Sequence, residues 1–261
     1  MNEALRLQDT KIFKLRFERE LQVYLAALCI YSKSSKDIFP DMEQVLHPLE
    51  LAYGSSLIYE KRQHDYFIGR YAAKVAINTF DPSLAMNDVN VGQGVFQQPI
   101  VSHPNASQIG VSISHSGELA VAVAFEEGHP MGVDIEHVPG LLLDTVLEQL
   151  TDFERRLLWS WPWNKRDSAA ALWASKEALS KVLKTGLTTP LYIFEIEEAR
   201  FEKGQHGIML ICTFRNFFQY QAVVFKWGDY MCSLCYPRKS KISFIEESIE
   251  LQLQRRGRRE N

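Results

Sequence analysis

The chain has 261 residues and a mass of 30.0 kDa, enough for one large or two small domains around a buried core. Hydrophobic residues make up 46% and charged residues 23%, which excludes a mostly disordered chain; 29 Lys and Arg against 32 Asp and Glu give a net charge of −3, which argues against a globally basic nucleic-acid binder. Four cysteines (Cys29, Cys212, Cys232, Cys235) are too few for a disulfide scaffold. No signal-peptide pattern opens the chain and no apolar run reaches membrane-spanning length, so the expected setting is the reduced cytoplasm, without a membrane partner.

Residues 1–40 read as peripheral, with an apolar run at 21–30 that fits strand or helix. The spacing of Phe67, Tyr71, Val75 and Asn78, with Ala72, Ala73 and Ala76, predicts a helix over 61–80, ended by Asp81-Pro82. Gly92, Gly94 and Pro99 mark a loop or irregular hairpin. Two short strands follow at 110–114 and 119–125, then a buried strand at 131–135. Residues 141–159 read as helical with a second N-cap at Thr151 or Asp152, and 168–184 as a long Ala-rich helix ended by Gly186. Residues 191–236 read as a β-meander (192–197, 207–214, 221–227, 230–236), and 237–261 as a charged tail. Helix followed by strands, twice over, predicts an α+β protein of two packed halves and not a doubly wound parallel sheet.

Four local patterns carry chemistry. In Gly132-Val133-Asp134-Ile135-Glu136 the two acids share one strand face, while Val133 and Ile135 share the other. Paired carboxylates repel unless a proton or cation lies between them, so the pattern fits a divalent metal site, most simply Mg²⁺, as well as a plain half-exposed strand. Trp173, Glu177 and Lys181 fall on one helix face, which adds a third carboxylate and a cation, or simply a helical ion pair beside a core Trp. Ser114-His115-Ser116 places a histidine among hydroxyls at a strand end, suited to phosphate oxygens or to closing a turn. Gly69-Arg70 puts a phosphate-capable guanidinium on the 61–80 helix.

Taken together and in this order, Ile-Ser-His-Ser, Gly-Val-Asp-Ile-Glu and Trp-x-x-Lys-Glu-Ala-x-x-x-Lys resemble the signature of the 4′-phosphopantetheinyl transferase superfamily. The similarity covers about residues 45–236 and is to the larger, monomeric Sfp type, named after the surfactin-synthesis activator. The resemblance implies two similar α/β subdomains about a pseudo-twofold axis, with coenzyme A in the cleft between them. The expected boundaries are 1–128 for an N-terminal, coenzyme-binding subdomain and 129–240 for a C-terminal, metal-binding and catalytic one, with a charged tail at 241–261. It implies transfer of the phosphopantetheine arm of coenzyme A to a serine of an apo carrier protein, releasing adenosine 3′,5′-bisphosphate. Acyl, peptidyl and aryl carrier proteins, serving fatty-acid, polyketide or nonribosomal-peptide synthesis, all fit as partners.

By the same resemblance Asp134, Glu136 and Glu177 would hold Mg²⁺ (or Mn²⁺), and Glu177 would be the base. Lys181 would steady the coenzyme phosphates. Ser114, His115 and Arg70 would contact coenzyme A, as would Gln98 and Pro99 in a loop that in relatives often reads Gly-Lys-Pro. Gln98 replaces the usual cation there, and Lys61, Arg62 or His64 is the expected substitute; relatives' upstream basic residues appear as Glu50 and Tyr53. Glu154 matches a family acid at the mouth of the site and is a second candidate base, or else a helix N-terminal acid. The alternatives are a metal-dependent phosphoesterase or nuclease using the same three acids, and a silent interaction protein of the same fold. Cys232 and Cys235 read as structural, and the arginines at 255–259 as a solvated terminus. Trp159, Trp161 and Trp163 read mainly as packing.

Overall fold

The structure, a computed structural model, describes residues 10–32, 42–204 and 207–247; the arginines at 255–259 lie outside them. The strands and helices run β1 (Thr10–Arg19), β2 (Gln22–Ser32), α1 (Met42–Val45), α2 (Pro48–Ser56), α3 (Glu60–Phe80), β3 (Asn90–Gln93), β4 (Pro99–Ser102), β5 (Ile109–Ser116), β6 (Leu119–Glu126) and β7 (Gly132–His137). They continue with α4 (Leu143–Glu148), α5 (Asp152–Trp159), α6 (Lys165–Val182), β8 (Ile196–Gly204), β9 (Gly207–Phe214), β10 (Tyr220–Trp227), β11 (Tyr230–Pro237) and β12 (Lys241–Glu247).

Two five-stranded antiparallel sheets organise the molecule, in the orders β12-β1-β2-β6-β5 and β7-β11-β10-β9-β8. Each carries one long helix on its outer face: α3 on the first, over Ala120, Ala122 and Ala124, and α6 on the second, over Met231 and Cys235. The inner faces meet in a shared core of Phe13, Leu15, Phe17, Val121, Val123, Val133, Ile135, Leu234 and Tyr236. Strands buried on both faces read as unbroken apolar runs, as β6 does. The architecture is therefore α+β, two like halves stacked helix, sheet, sheet, helix.

The two sheets are joined along β5 and β7 by serines. Ser112, Ser114 and Ser116 share one face of β5: Ser112 Oγ accepts from Val133 N (3.1 Å), Ser114 Oγ donates to Asp134 Oδ1 (2.7 Å), and Ser116 Oγ accepts from His137 N (3.0 Å). These bonds cross the seam between the two edge strands, and they tie the first half to the strand that carries the acids.

Three expectations need correction. Residues 10–32 are not peripheral: Phe13, Leu15 and Phe17 alternate with Lys14, Arg16 and Glu18 and bury one face of β1, and the 21–30 run belongs to β2, inside the first sheet. Residues 241–247 are not tail but β12, which crosses back to pair with β1. The first strand of the β-meander begins at Ile196, after a 3₁₀ turn at Leu191–Phe194.

Candidate active site

The site grows from the approach of α6 to β7. Gly132 permits it: a Cβ there would lie 2.1 Å from the Ala178 carbonyl and 2.9 Å from the Val182 nitrogen. With Val133 and Ile135 turned into the core between the sheets, Asp134 and Glu136 face α6, and on that helix Trp173, Glu177 and Lys181 stack at four-residue spacing toward them. Lys181 Nζ donates to Asp134 Oδ1 (2.7 Å) and to the Val133 carbonyl (3.0 Å), and Trp173, near Glu136, favours its ionised form.

The electrostatics are those of crowded, half-desolvated acids. Burial first, then the charges of Asp134 and Glu177, push Glu136 up to about 8, against the pull of Lys181. Burial and Asp134 push Glu177 up to about 7. Asp134 is 3% exposed and its Oδ2 has no hydrogen-bond partner. An orphaned carboxylate oxygen beside two acids that resist ionising together is a donor set suited to a hard divalent cation. Among the described residues, as they stand here, no three such side chains are gathered closely enough to hold a metal ion; the Lys181 ammonium is the cation that stands against Asp134.

The structure thus brings together Ser114, Asp134, Glu136, Glu177 and Lys181, with His115 within electrostatic reach of Asp134 and Lys181. In this structure the Ser114 hydroxyl donates to Asp134 and holds the acid.

Arg70, Gln98 and Pro99 have surroundings of their own. Arg70 is 8% exposed, stacks 4.8 Å over the Tyr66 ring and has an unpartnered Nε. It lines a cavity of about 160 Å³ with Tyr53, Tyr66 and Gln93. Gln98 closes its own hairpin turn, its Oε1 accepting from Phe96 N (3.0 Å), and Pro99 opens β4.

Glu154 is a correction. It is fully buried, with its carboxylate taken by Lys176 (2.6 Å), Thr151 N and Ile196 N (3.0 Å each). A carboxylate committed to an ammonium and two backbone donors away from solvent does not exchange protons with a substrate, so it is a cap and a buried ion pair. Cys232 and Cys235 are also structural: both are buried, and they face opposite sides of β11. Trp161 and Trp163 pack edge-on against Phe201, while Trp159 is exposed with Lys165 over its ring. Sequence reasoning missed Ser112 and Ser116 as bridges to β7, and Asp65, which faces His115 from α3. The alternation of serines along β5 was the available signal for the first two.

The family profile of the 4′-phosphopantetheinyl transferase superfamily matches residues 130–235, the stretch holding all three acids and Lys181. A holo-(acyl-carrier-protein) synthase of Lactococcus lactis subsp. cremoris is 34% identical over 87 residues, 31% of this chain and 73% of that protein. Another, from Mycoplasma mycoides, is 30% identical over 69 residues, and the match spans 62% of its length. Among solved structures, a Bacillus anthracis holo-(acyl-carrier-protein) synthase in complex with CoA (3′,5′-ADP) is 22% identical, with coverage of 44% of this chain and 96% of that one and a TM-score of 0.34. By the extent and identity of the Lactococcus match, the chain belongs to the 4′-phosphopantetheinyl transferase superfamily.

Proposed function

We propose that this protein transfers the 4′-phosphopantetheine arm of coenzyme A to a serine of an apo carrier protein, in a Mg²⁺-dependent reaction that releases adenosine 3′,5′-bisphosphate. The observation that carries this reading is the convergence of Asp134, Glu136, Glu177 and Lys181 on the β7–α6 face, inside the stretch matched by the family profile. The relatives' name points to an acyl carrier protein as partner. The larger, single-chain Sfp type is supported by two like halves in one chain, only the second of which the profile matches. On that reading the protein works as a monomer and equally serves carriers of polyketide and nonribosomal-peptide synthesis.

Asp134, Glu136 and Glu177 would hold the metal ion, which when bound offsets charge on the coenzyme's pyrophosphate oxygens. The incoming serine Oγ bonds to the phosphorus bearing the pantetheine arm, and the bond from that phosphorus to the oxygen bridging to adenosine 3′,5′-bisphosphate breaks. Glu177, the carboxylate that α6 brings to this face, accepts the serine proton. Lys181, anchored on Asp134 and the Val133 carbonyl, presents a fixed positive charge to the phosphate oxygens. Incubating the protein with coenzyme A, Mg²⁺ and a panel of apo carriers tests this reading. Intact-mass spectrometry should show at least one carrier gaining the arm, with adenosine 3′,5′-bisphosphate released in equal amount; release without carrier modification would instead indicate a phosphoesterase.

A further inference from the structure

Asp65 belongs to no motif, yet the fold puts it at the edge of the site. On β5, Val111 and Ile113 pack into the core beneath α3. His115, two residues on, continues that face and comes out beside the first two turns of the helix. There one carboxylate oxygen of Asp65 lies 3.9 Å from His115 Nδ1 and 3.3 Å from Lys61 Nζ, and the other lies 3.8 Å from His64 Nδ1. The Asp65 side chain is 12% exposed and that of His115 is 45% exposed. The Nδ1 edge of the ring thus faces a shielded carboxylate, which leaves Nε2 for a ligand.

We propose that Asp65 is a positioning residue for the coenzyme phosphates, acting through His115: it fixes the imidazole by its Nδ1 edge so that Nε2–H points at a phosphate oxygen. This rests on the coenzyme reading above. An acid next to an anion site repels the ligand unless it does something the ligand needs. At 3.9 Å the Nδ1 edge meets Asp65 as an ion pair and not as a hydrogen bond, and a charged imidazole held in that way keeps Nε2–H for phosphate. The charged groups that face the ring are Asp65, Lys61, Lys181 and Asp134. Burial draws His115 below the ordinary histidine range and the two lysines add to that, while Asp65 is the strongest influence in the opposite direction. Lys61, held on the same carboxylate, keeps the cluster from presenting net negative charge to the coenzyme.

The test compares wild type with Asp65→Asn, Asp65→Glu, His115→Ala and the double variant Asp65→Asn/His115→Ala. In Asp65→Asn the KM for coenzyme A should rise about tenfold, the loss of one charge-assisted hydrogen bond, and by more than kcat falls. Asp65→Glu should recover most of that. In the His115→Ala background, Asp65→Asn should add less than about threefold, since contacting residues that act through one another are not additive. Nitrogen-resolved NMR should show the His115 ring titrating lower in Asp65→Asn than in wild type. An unchanged KM in Asp65→Asn, or a full tenfold effect without His115, would overturn the inference. A wild type that neither binds nor uses coenzyme A would overturn the functional reading instead, and the NMR titration, which needs no coenzyme, would still report whether Asp65 governs His115.

Discussion

Glu50 and Glu154 occupy the same place in the two halves of the molecule. Each is the third residue of its helix in a capping box, Glu50 behind His47 on α2 and Glu154 behind Thr151 on α5. Each pairs with a buried lysine of the long helix, Glu50 with Lys74 (2.8 Å) and Glu154 with Lys176 (2.6 Å). Each also accepts a backbone N–H from a following strand, Val91 of β3 (2.8 Å) and Ile196 of β8 (3.0 Å). One polar knot thus locks a capping helix, a long helix and a strand together in both halves. Beside the knot the halves diverge: Lys176 is followed by Glu177 and Lys74 by Val75, so only the second half carries an acid there. A relationship of this kind is the mark of a repeated unit, and it gives Glu154 a structural task shared with Glu50.

Glu154→Gln should therefore act on stability. Burial lowers the pKa of Lys176 against the pull of its partner, and losing that partner leaves an ammonium uncompensated in the interior. The expected cost is roughly 3–5 kcal/mol, read as a fall in the urea midpoint. Glu50→Gln should behave alike through Lys74. Normal stability with lost turnover in Glu154→Gln would restore it as a base.

Gly132→Ala should damage site and fold together. The added methyl meets backbone atoms of α6, which no side-chain rotation relieves. Forcing the helix off β7 should cost about 1–3 kcal/mol or more and separate Glu177 and Lys181 from Asp134. Circular dichroism melts and turnover check this; a variant as stable and active as wild type would show that the close approach is not needed.

Much of this site was legible in the sequence. Residues i and i+2 on a strand, and i, i+4 and i+8 on a helix, share a face by geometry alone, so Asp134 with Glu136 and Trp173 with Glu177 and Lys181 could be paired before any fold was known. The 61–80 helix was equally plain, because Ala-rich spacing and an Asp-Pro stop are local signals. What failed was tertiary. β12 exists through its pairing with β1, and its charged sequence looks like a tail until that partner is present. A capping-box glutamate reads the same whether its helix is exposed or buried, so Glu154 kept both meanings. Nothing in the order of residues says that β5 carries His115 over the start of α3, which is why Asp65 stayed hidden. For β1, the alternation of Phe13, Leu15 and Phe17 with charged residues was available and was passed over.

Mg²⁺ should stabilise the protein more at high pH than at low pH. Glu136 and Glu177 have folded-state values raised to about 8 and about 7, so the apo protein keeps their contribution below about pH 4.5 and loses it as pH rises through those values. A divalent cation competes with the same protons and offsets the repulsion that remains. The thermal shift from millimolar Mg²⁺ should therefore be larger at pH 8.5 than at pH 6, and should vanish in Asp134→Asn. Equal shifts at both pH values would place the ion elsewhere.

Acid should weaken the joint between the halves at His129. The ring is fully buried between Phe17 and Tyr24, with Nε2 2.7 Å from Ser240 Oγ and no partner on Nδ1. Burial lowers it from 6.5 to about 4, so the unfolded chain takes up the proton first as pH falls. The contribution of the neutral ring is complete above about pH 6.5 and is lost between there and pH 4, amounting to roughly 2 kcal/mol between pH 7 and pH 5. The stability difference between wild type and His129→Gln should shrink over that interval; a difference independent of pH would contradict the assignment.

The most direct test of the whole account is the rate at which Glu177→Gln transfers the phosphopantetheine arm, measured against wild type by intact mass of the carrier at saturating coenzyme A and Mg²⁺. The substitution keeps size and helix while removing a charge that the account uses twice, to hold the metal and to take the serine proton. A loss of at least about 100-fold, with the circular dichroism of a folded protein retained, is the predicted result. Transfer within a few-fold of wild type would contradict the placement of the reaction at the β7–α6 face.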